Sequence, residues 1–152
     1  APPQAVFSLL LVHLVATATM FGVIWQVQLL TYPQFAEVGT QEFPGYHEAH
    51  CRRILRVVAP LMLIELVCAA ALVPLLWDSP LRLAALAGIV LVAFVWLSTA
   101  ALQMPQHRQL AAGWDADGIA ALVRGNWIRV VGWSLRLGIA AWLVVRWVGM
   151  VR

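Results

Sequence analysis

The sequence predicts an all-α membrane protein, an antiparallel four-helix transmembrane bundle with both termini on the same side. Composition is the first observation behind this. Of 152 residues, 62% are hydrophobic and only 11% are charged, against about 25% charged in ordinary soluble domains. A soluble fold of this size could not build a polar shell from so few charges. The second observation is segmental: four stretches reach the roughly 20 apolar residues that a helix needs to cross the hydrocarbon core. The chain reads as one domain, 1–152, with helices at about 5–31, 45–77, 82–103 and 117–149.

The first stretch, Ala5 to Thr31, carries no formal charge. It lacks a basic leading region and is too long for the core of a signal peptide, so it reads as a retained helix. The second runs roughly from Ile54 to Trp77 and, past Arg56 at its outer edge, is broken only by Glu65. Pro44 suits a helix start and Tyr46 to Arg56 is helix-compatible, which lengthens this helix outward. Pro60 is expected to kink it. The third stretch, Leu83 to Leu102, is uncharged. The fourth, Trp127 to Gly149, holds Arg129, Arg136 and Arg146, and Asp115 is placed to cap its helix. Trp25, Trp77, Trp127 and Trp147 fall near predicted ends, as interfacial tryptophans do. Tyr32-Pro33 and Met104-Pro105 are expected to end the first and third helices.

Trp77-Asp78-Ser79-Pro80 predicts a tight turn, so the second and third helices form a hairpin on one side, side A. Both termini are expected there too. The longer connections, Tyr32 to Pro44 and Met104 to Trp114, fall on the opposite side B. Side B carries Arg52, Arg53, Arg56, Arg108, Arg124 and Arg129, and side A carries Arg82, Arg146 and Arg152. The positive-inside tendency then puts side B in the cytoplasm, with a bacterial inner membrane as the expected location. The net charge of +3 is too small to imply a nucleic-acid surface. Cys51 and Cys68 lie on one helix about 25 Å apart and cannot bond to each other.

Polar residues recur at helical spacing. In the fourth helix Asn126, Arg129, Trp133 and Arg136 share a face. His47, His50, Ile54, Val57, Leu61, Glu65 and Cys68 do so in the second, and Trp96, Thr99, Gln103 and His107 in the third. The first helix aligns His13, Thr17, Met20, Ile24, Gln28 and Thr31. Lipid satisfies no such groups, so the stripes are expected to face one another. Glu65 and Arg136 both fall about 18 Å from side A, which predicts a buried ion pair, with His13 about one turn shallower. It is read as a proton path or ligand anchor, or as a structural pair that fixes register.

Toward side B, Gln28, Tyr32, Gln103, Asn126, Arg129 and Trp133 are the candidate ligand-binding residues. His47, His50 and His107 are the candidate acid–base groups, and the same three imidazoles are the candidate ligands for zinc, copper or iron. The plainer reading makes them interfacial histidines on a solvated helix start. His13 is a weaker candidate for a haem ligand. The Arg129–Trp133–Arg136 face suits an anionic head group or carboxylate, or else simple helix packing with snorkelling. No nucleophile elbow, P-loop, dinucleotide fingerprint or CxxC pair occurs in the sequence.

The run Gln103-Met104-Pro105-Gln106-His107-Arg108-Gln109-Leu110, then Asn126-Trp127-Ile128-Arg129 and Trp133-Ser134-Leu135-Arg136, resembles small bacterial four-helix membrane proteins. So does Tyr32-Pro33 followed by Tyr46-His47-Glu48-Ala49-His50. These proteins lie near the domains of unknown function that include anthrone-oxygenase-like proteins. The resemblance covers nearly the whole chain and implies a four-helix bundle with a hint of oxygenase or redox chemistry. His13 and Trp25 give the first helix a superficial likeness to membrane haem proteins of the protoporphyrinogen-oxidase type.

The expected function is an integral membrane protein with a polar pocket at one end of the bundle. It would bind an amphiphilic ligand, quinone-, polyketide- or lipid-like, with metal- or histidine-assisted redox chemistry. The alternative is a non-catalytic accessory subunit of a larger membrane complex, its polar stripes serving as glue between helices. A small transporter ranks last, because four helices leave little room for a pore.

Overall fold

A computed structural model describes residues 2–151; the charge counted at Arg152 lies outside them. Four helical rods make up the fold: α1 Pro3–Glu37, α2 Phe43–Leu75, α3 Arg82–Leu110 and α4 Ala116–Met150. Each is long and apolar enough to cross a membrane. At 1.5 Å per residue the longest reach about 52 Å, well beyond a hydrocarbon core of about 30 Å.

The helix starts follow local chemistry. Pro44 sits in the first turn of α2, where its missing N–H is no loss. Asp115 caps α4, its carboxylate accepting from the Asp117 N–H at 3.2 Å. Gly113 occupies the turn before it at φ 152°, a conformation that favours glycine. The α2–α3 turn is tied by Ser79, whose hydroxyl donates to the Leu76 carbonyl and accepts from the Leu81 N–H.

Two expected helix ends do not occur. α1 continues through Tyr32-Pro33 and α3 through Met104-Pro105. In each, the five residues before the Xaa-Pro pair form a π turn: Val27–Thr31 in α1 and Thr99–Gln103 in α3. The N–H of Tyr32 reaches back five residues to Val27 O, and that of Met104 to Thr99 O. The wider turn draws the following proline ring clear of the carbonyl it would strike in a regular α-helix. Pro60 lies within α2 without ending it, and Pro74 falls in its last turn.

Apolar layers close both ends. Val6, Leu10, Leu72, Leu76, Leu81, Ala85 and Leu143 pack in one cluster, around the α2–α3 turn. Val27, Tyr32, Phe35, Phe43, Leu110, Ile119 and Leu122 form another, near the α1–α2 and α3–α4 connections. Between them Met20, Ile24, Met62, Val95, Val130 and Trp133 form a middle cluster. Gly132 of α4 packs tightly on α3: an added Cβ would stand 2.6 Å from Val95 Cγ1. Trp25 and Trp127 are not at helix ends. They pack edge to face at 5.7 Å well inside α1 and α4, and Trp25 Nε1 donates to Ser134 Oγ at 3.3 Å.

Candidate functional site

Polar residues gather in two layers. In the middle layer Glu65 of α2 meets Arg136 of α4, whose Nε and Nη2 donate to Glu65 Oε1 at 3.0 and 2.8 Å. The side chains of both are almost wholly buried. Thr17 Oγ1 also donates to Oε1, and Trp133 Nε1 to Oε2, each at 2.9 Å. Arg136 Nη1 donates to the Gly88 carbonyl at 3.0 Å, and Nη2 lies 3.3 Å from His13 Nε2. Arginine only donates, so His13 Nε2 accepts and its hydrogen sits on Nδ1. His13 is thus engaged within this layer, and the other three histidines lie toward the opposite end of the bundle.

The second layer lies at the end that carries the two π turns. His47 of α2 and His107 of α3 face each other, Nε2 to Nδ1 at 2.9 Å. Cys51, one turn after His47, places its Sγ 3.6 Å from His47 Nε2 and 3.7 Å from His107 Nδ1. These three donor atoms lie within 4.8 Å of one another. The Tyr32 hydroxyl holds His107 Nε2 at 3.0 Å.

Of the three histidines the sequence singles out, the structure brings His47 and His107 together with Cys51. His50 does not join the donor cluster. Its ring packs edge-on against Phe35 at 5.0 Å and stacks beside His107 at 6.1 Å. It lines a smaller hollow with Thr31, Tyr46 and Arg53. The cause is register: three residues after His47 is 300° and four is 400° around the helix, so His50 and Cys51 diverge by about 100°. The pattern His47-x-x-x-Cys51 held the signal, since residues four apart also share a face. The same slip puts Val57 and Trp96 on exposed faces, while Val58 is half-buried and Val95 buried.

A cavity of about 700 Å³ adjoins the cluster. Its walls include Tyr32, His47, Cys51, Gln103, His107 and Arg129, with Ile24, Val27, Val58 and Leu55 supplying apolar surface. Exposed Leu55 of α2 and Met104 of α3 belong to its wall, so it lies at the seam between these two helices. Gln28, Asn126 and Trp133 stand behind that wall. Gln28 Nε2 donates to Val123 O at 3.2 Å, Asn126 Nδ2 donates to Gln28 Oε1 at 2.9 Å, and Arg129 Nη1 donates to Asn126 Oδ1 at 3.3 Å. The Arg129 guanidinium lies over Trp133 at 5.4 Å. Gln103 is held by Ser98 Oγ at 3.2 Å and donates to Gly125 O at 3.2 Å.

Arg129 is only 6% exposed, and its Nε has no hydrogen-bond partner. Among the described residues no carboxylate pairs with it. Chemically, the cavity offers one buried cation, two imidazoles, a thiol and a phenol beside an apolar wall, with the exposed Glu48 and Arg108 also on its lining. In comparisons with known proteins, no family model, curated protein or solved structure matches the chain.

Proposed function

We propose that the chain is an integral membrane protein, of a bacterial inner membrane, that binds an amphiphile by its oxygen-bearing polar end in the side-B cavity. Buried, unpaired Arg129 is the single observation that carries this reading. A cation taken out of water at a cost of several kcal/mol, with no anion beside it, is a functional-site hypothesis by default. Arg129 lines the cavity, and the fork geometry of its guanidinium suits a carboxylate, phosphate or quinone-type oxygen. Asn126 accepts from the guanidinium and is itself held by Gln28, and the Trp133 ring lies against the guanidinium. The apolar wall and its position between α2 and α3 suit an alkyl or polycyclic tail entering from lipid. The volume falls within the range of about 300–1,000 Å³ usual for small-molecule sites. His47, His107 and Tyr32 then stand beside the bound head as proton-transfer groups.

The test is equilibrium binding of a decyl-tailed benzoquinone and of decanoate to the purified chain in lipid nanodiscs, against empty nanodiscs. Saturable binding of either is expected. Arg129→Gln should weaken it at least tenfold, and Leu55→Trp, which fills the mouth, should do the same. Uptake no greater than into empty nanodiscs, or affinity unchanged in Arg129→Gln, overturns the reading.

A further inference from the structure

We propose that His47, Cys51 and His107 form an open tetrahedral site for a d10 metal ion of borderline to soft character, Zn²⁺ or Cu⁺, with the fourth position facing the cavity. This goes beyond the amphiphile reading and does not depend on it. Ligand lengths of 2.0–2.1 Å to nitrogen and about 2.3 Å to sulfur give tetrahedral edges of about 3.6 Å for N···S and about 3.3 Å for N···N. The observed N···S separations are 3.6 and 3.7 Å, and the N···N separation is 2.9 Å. Seating a metal therefore requires only that the two imidazoles part by about 0.4 Å.

The set is also chemically coherent. A thiolate with two imidazoles suits Zn²⁺ and Cu⁺ better than the hard cations that prefer carboxylates and water. His47 and Cys51 project from successive turns of one helix, while His107 comes from another, so the site ties α2 to α3 where the cavity lies between them. The outer nitrogen of His107 already has a partner. Tyr32 can accept its hydrogen at 3.0 Å, which leaves the Nδ1 lone pair directed at the metal. All three donors line the cavity, so three protein ligands leave one position for a small molecule. Metal binding would release the Cys51 thiol proton to solvent and form the metal–sulfur bond in its place. The competing arrangement is a proton shared between His47 and His107, which meets the same 2.9 Å contact without metal.

The experiment titrates the chelator-stripped full chain, in nanodiscs and without amphiphile, with Co²⁺ as a spectroscopic substitute. Zn²⁺ is then used to displace it, and in a separate arm Cu⁺ competes with a chromophoric chelator. One ion per chain is expected, with intense tetrahedral bands and a sulfur-to-cobalt charge-transfer band, or stoichiometric Cu⁺ capture if Cu⁺ is preferred. Cys51→Ser should abolish the charge-transfer band and weaken Zn²⁺ or Cu⁺ binding at least tenfold, and His107→Gln should weaken it similarly. Cys68→Ser and Arg129→Gln should leave metal binding intact, the latter separating this proposal from the amphiphile reading. Neither Co²⁺ bands nor Cu⁺ capture by a chain whose circular dichroism shows intact helices overturns the proposal. So does a charge-transfer band that survives Cys51→Ser, or one lost in Cys68→Ser.

Discussion

Two buried arginines seven residues apart on α4 should respond oppositely to the same substitution. Arg136→Met removes two hydrogen bonds to Glu65, one to Gly88 O and the contact with His13. Glu65 keeps only Thr17 and Trp133 as donors, and its charge has no counterion. Stranding one member of a buried pair costs about 3–5 kcal/mol. Arg129→Met removes one bond to Asn126 and the stacking on Trp133, together about 2–4 kcal/mol. It also removes an unpaired buried cation, whose desolvation penalty is itself several kcal/mol. The net for Arg129→Met is therefore close to zero or stabilising.

The assay is reversible unfolding in mixed micelles, followed by circular dichroism. Arg136→Met should lower stability sharply, Arg129→Met should not, and Glu65→Leu with Arg136→Met should recover much of the single-mutant loss. Additive Glu65 and Arg136 effects, or a loss in Arg129→Met equal to that in Arg136→Met, would refute the reasoning.

Three further outcomes are expected. In a background with Cys51 and Cys68 replaced by alanine, membrane-impermeant labelling should modify Ser79→Cys and Val151→Cys from one side, and Glu37→Cys and Gln109→Cys from the other; labelling of Ser79→Cys and Gln109→Cys from the same side would rule out the topology. Gly132→Ala forces a methyl to within 2.6 Å of Val95 Cγ1 and should cost about 1–3 kcal/mol. Combining it with Val95→Ala should restore part of that in the same unfolding assay. Deleting Ala101 from the α3 π turn should cost about 3 kcal/mol through the clash renewed at Pro105, whereas the deletion combined with Pro105→Ala should fold near wild-type stability; equal loss in both would show that the proline is not what the π turn accommodates.

The four helices were legible because their signal is composition summed over some twenty residues, which no local detail overturns. Asn126, Arg129, Trp133 and Arg136 were legible too, since α4 is regular throughout and all four are buried as their spacing requires. Register at the far ends of α1 and α3 was less legible. From Val95, Gln103 and His107 are eight and twelve residues on, which in a regular α-helix rotates them about 80° and 120° off the inner face. The π turn absorbs one residue and brings both back toward it. α1 uses the same device, where Met20, Ile24, Gln28 and Tyr32 run in four-residue steps and all are buried. A run of four-residue steps ending in Xaa-Pro is the trace of this turn in the sequence. Reading each proline as a stop concealed it, and with it the place of Tyr32 beside His107. Cys51 is silent in the sequence for a related reason: its distance from Cys68 excludes a disulfide, and only the fold brings His107 of another helix beside it.

The two polar layers differ in how completely they are satisfied, and that difference separates their roles. Around Glu65 both carboxylate oxygens accept, and every nitrogen of Arg136 donates to a protein group. Neither residue touches the cavity. The ion pair closed in this way fixes the packing of all four helices, and the open atom of its layer is His13 Nδ1, a buried N–H without a partner that lies away from the cavity. Toward side B the accounting stays open. Arg129 retains a free Nε–H, His50 a free ring nitrogen, and the Cys51 thiol sits beside two imidazoles at a cavity wall. Burial makes each unpaired polar atom costly. Arg129 and the His47–Cys51–His107 cluster lie on space large enough for a small molecule, which is where a ligand or metal would add the missing bonds.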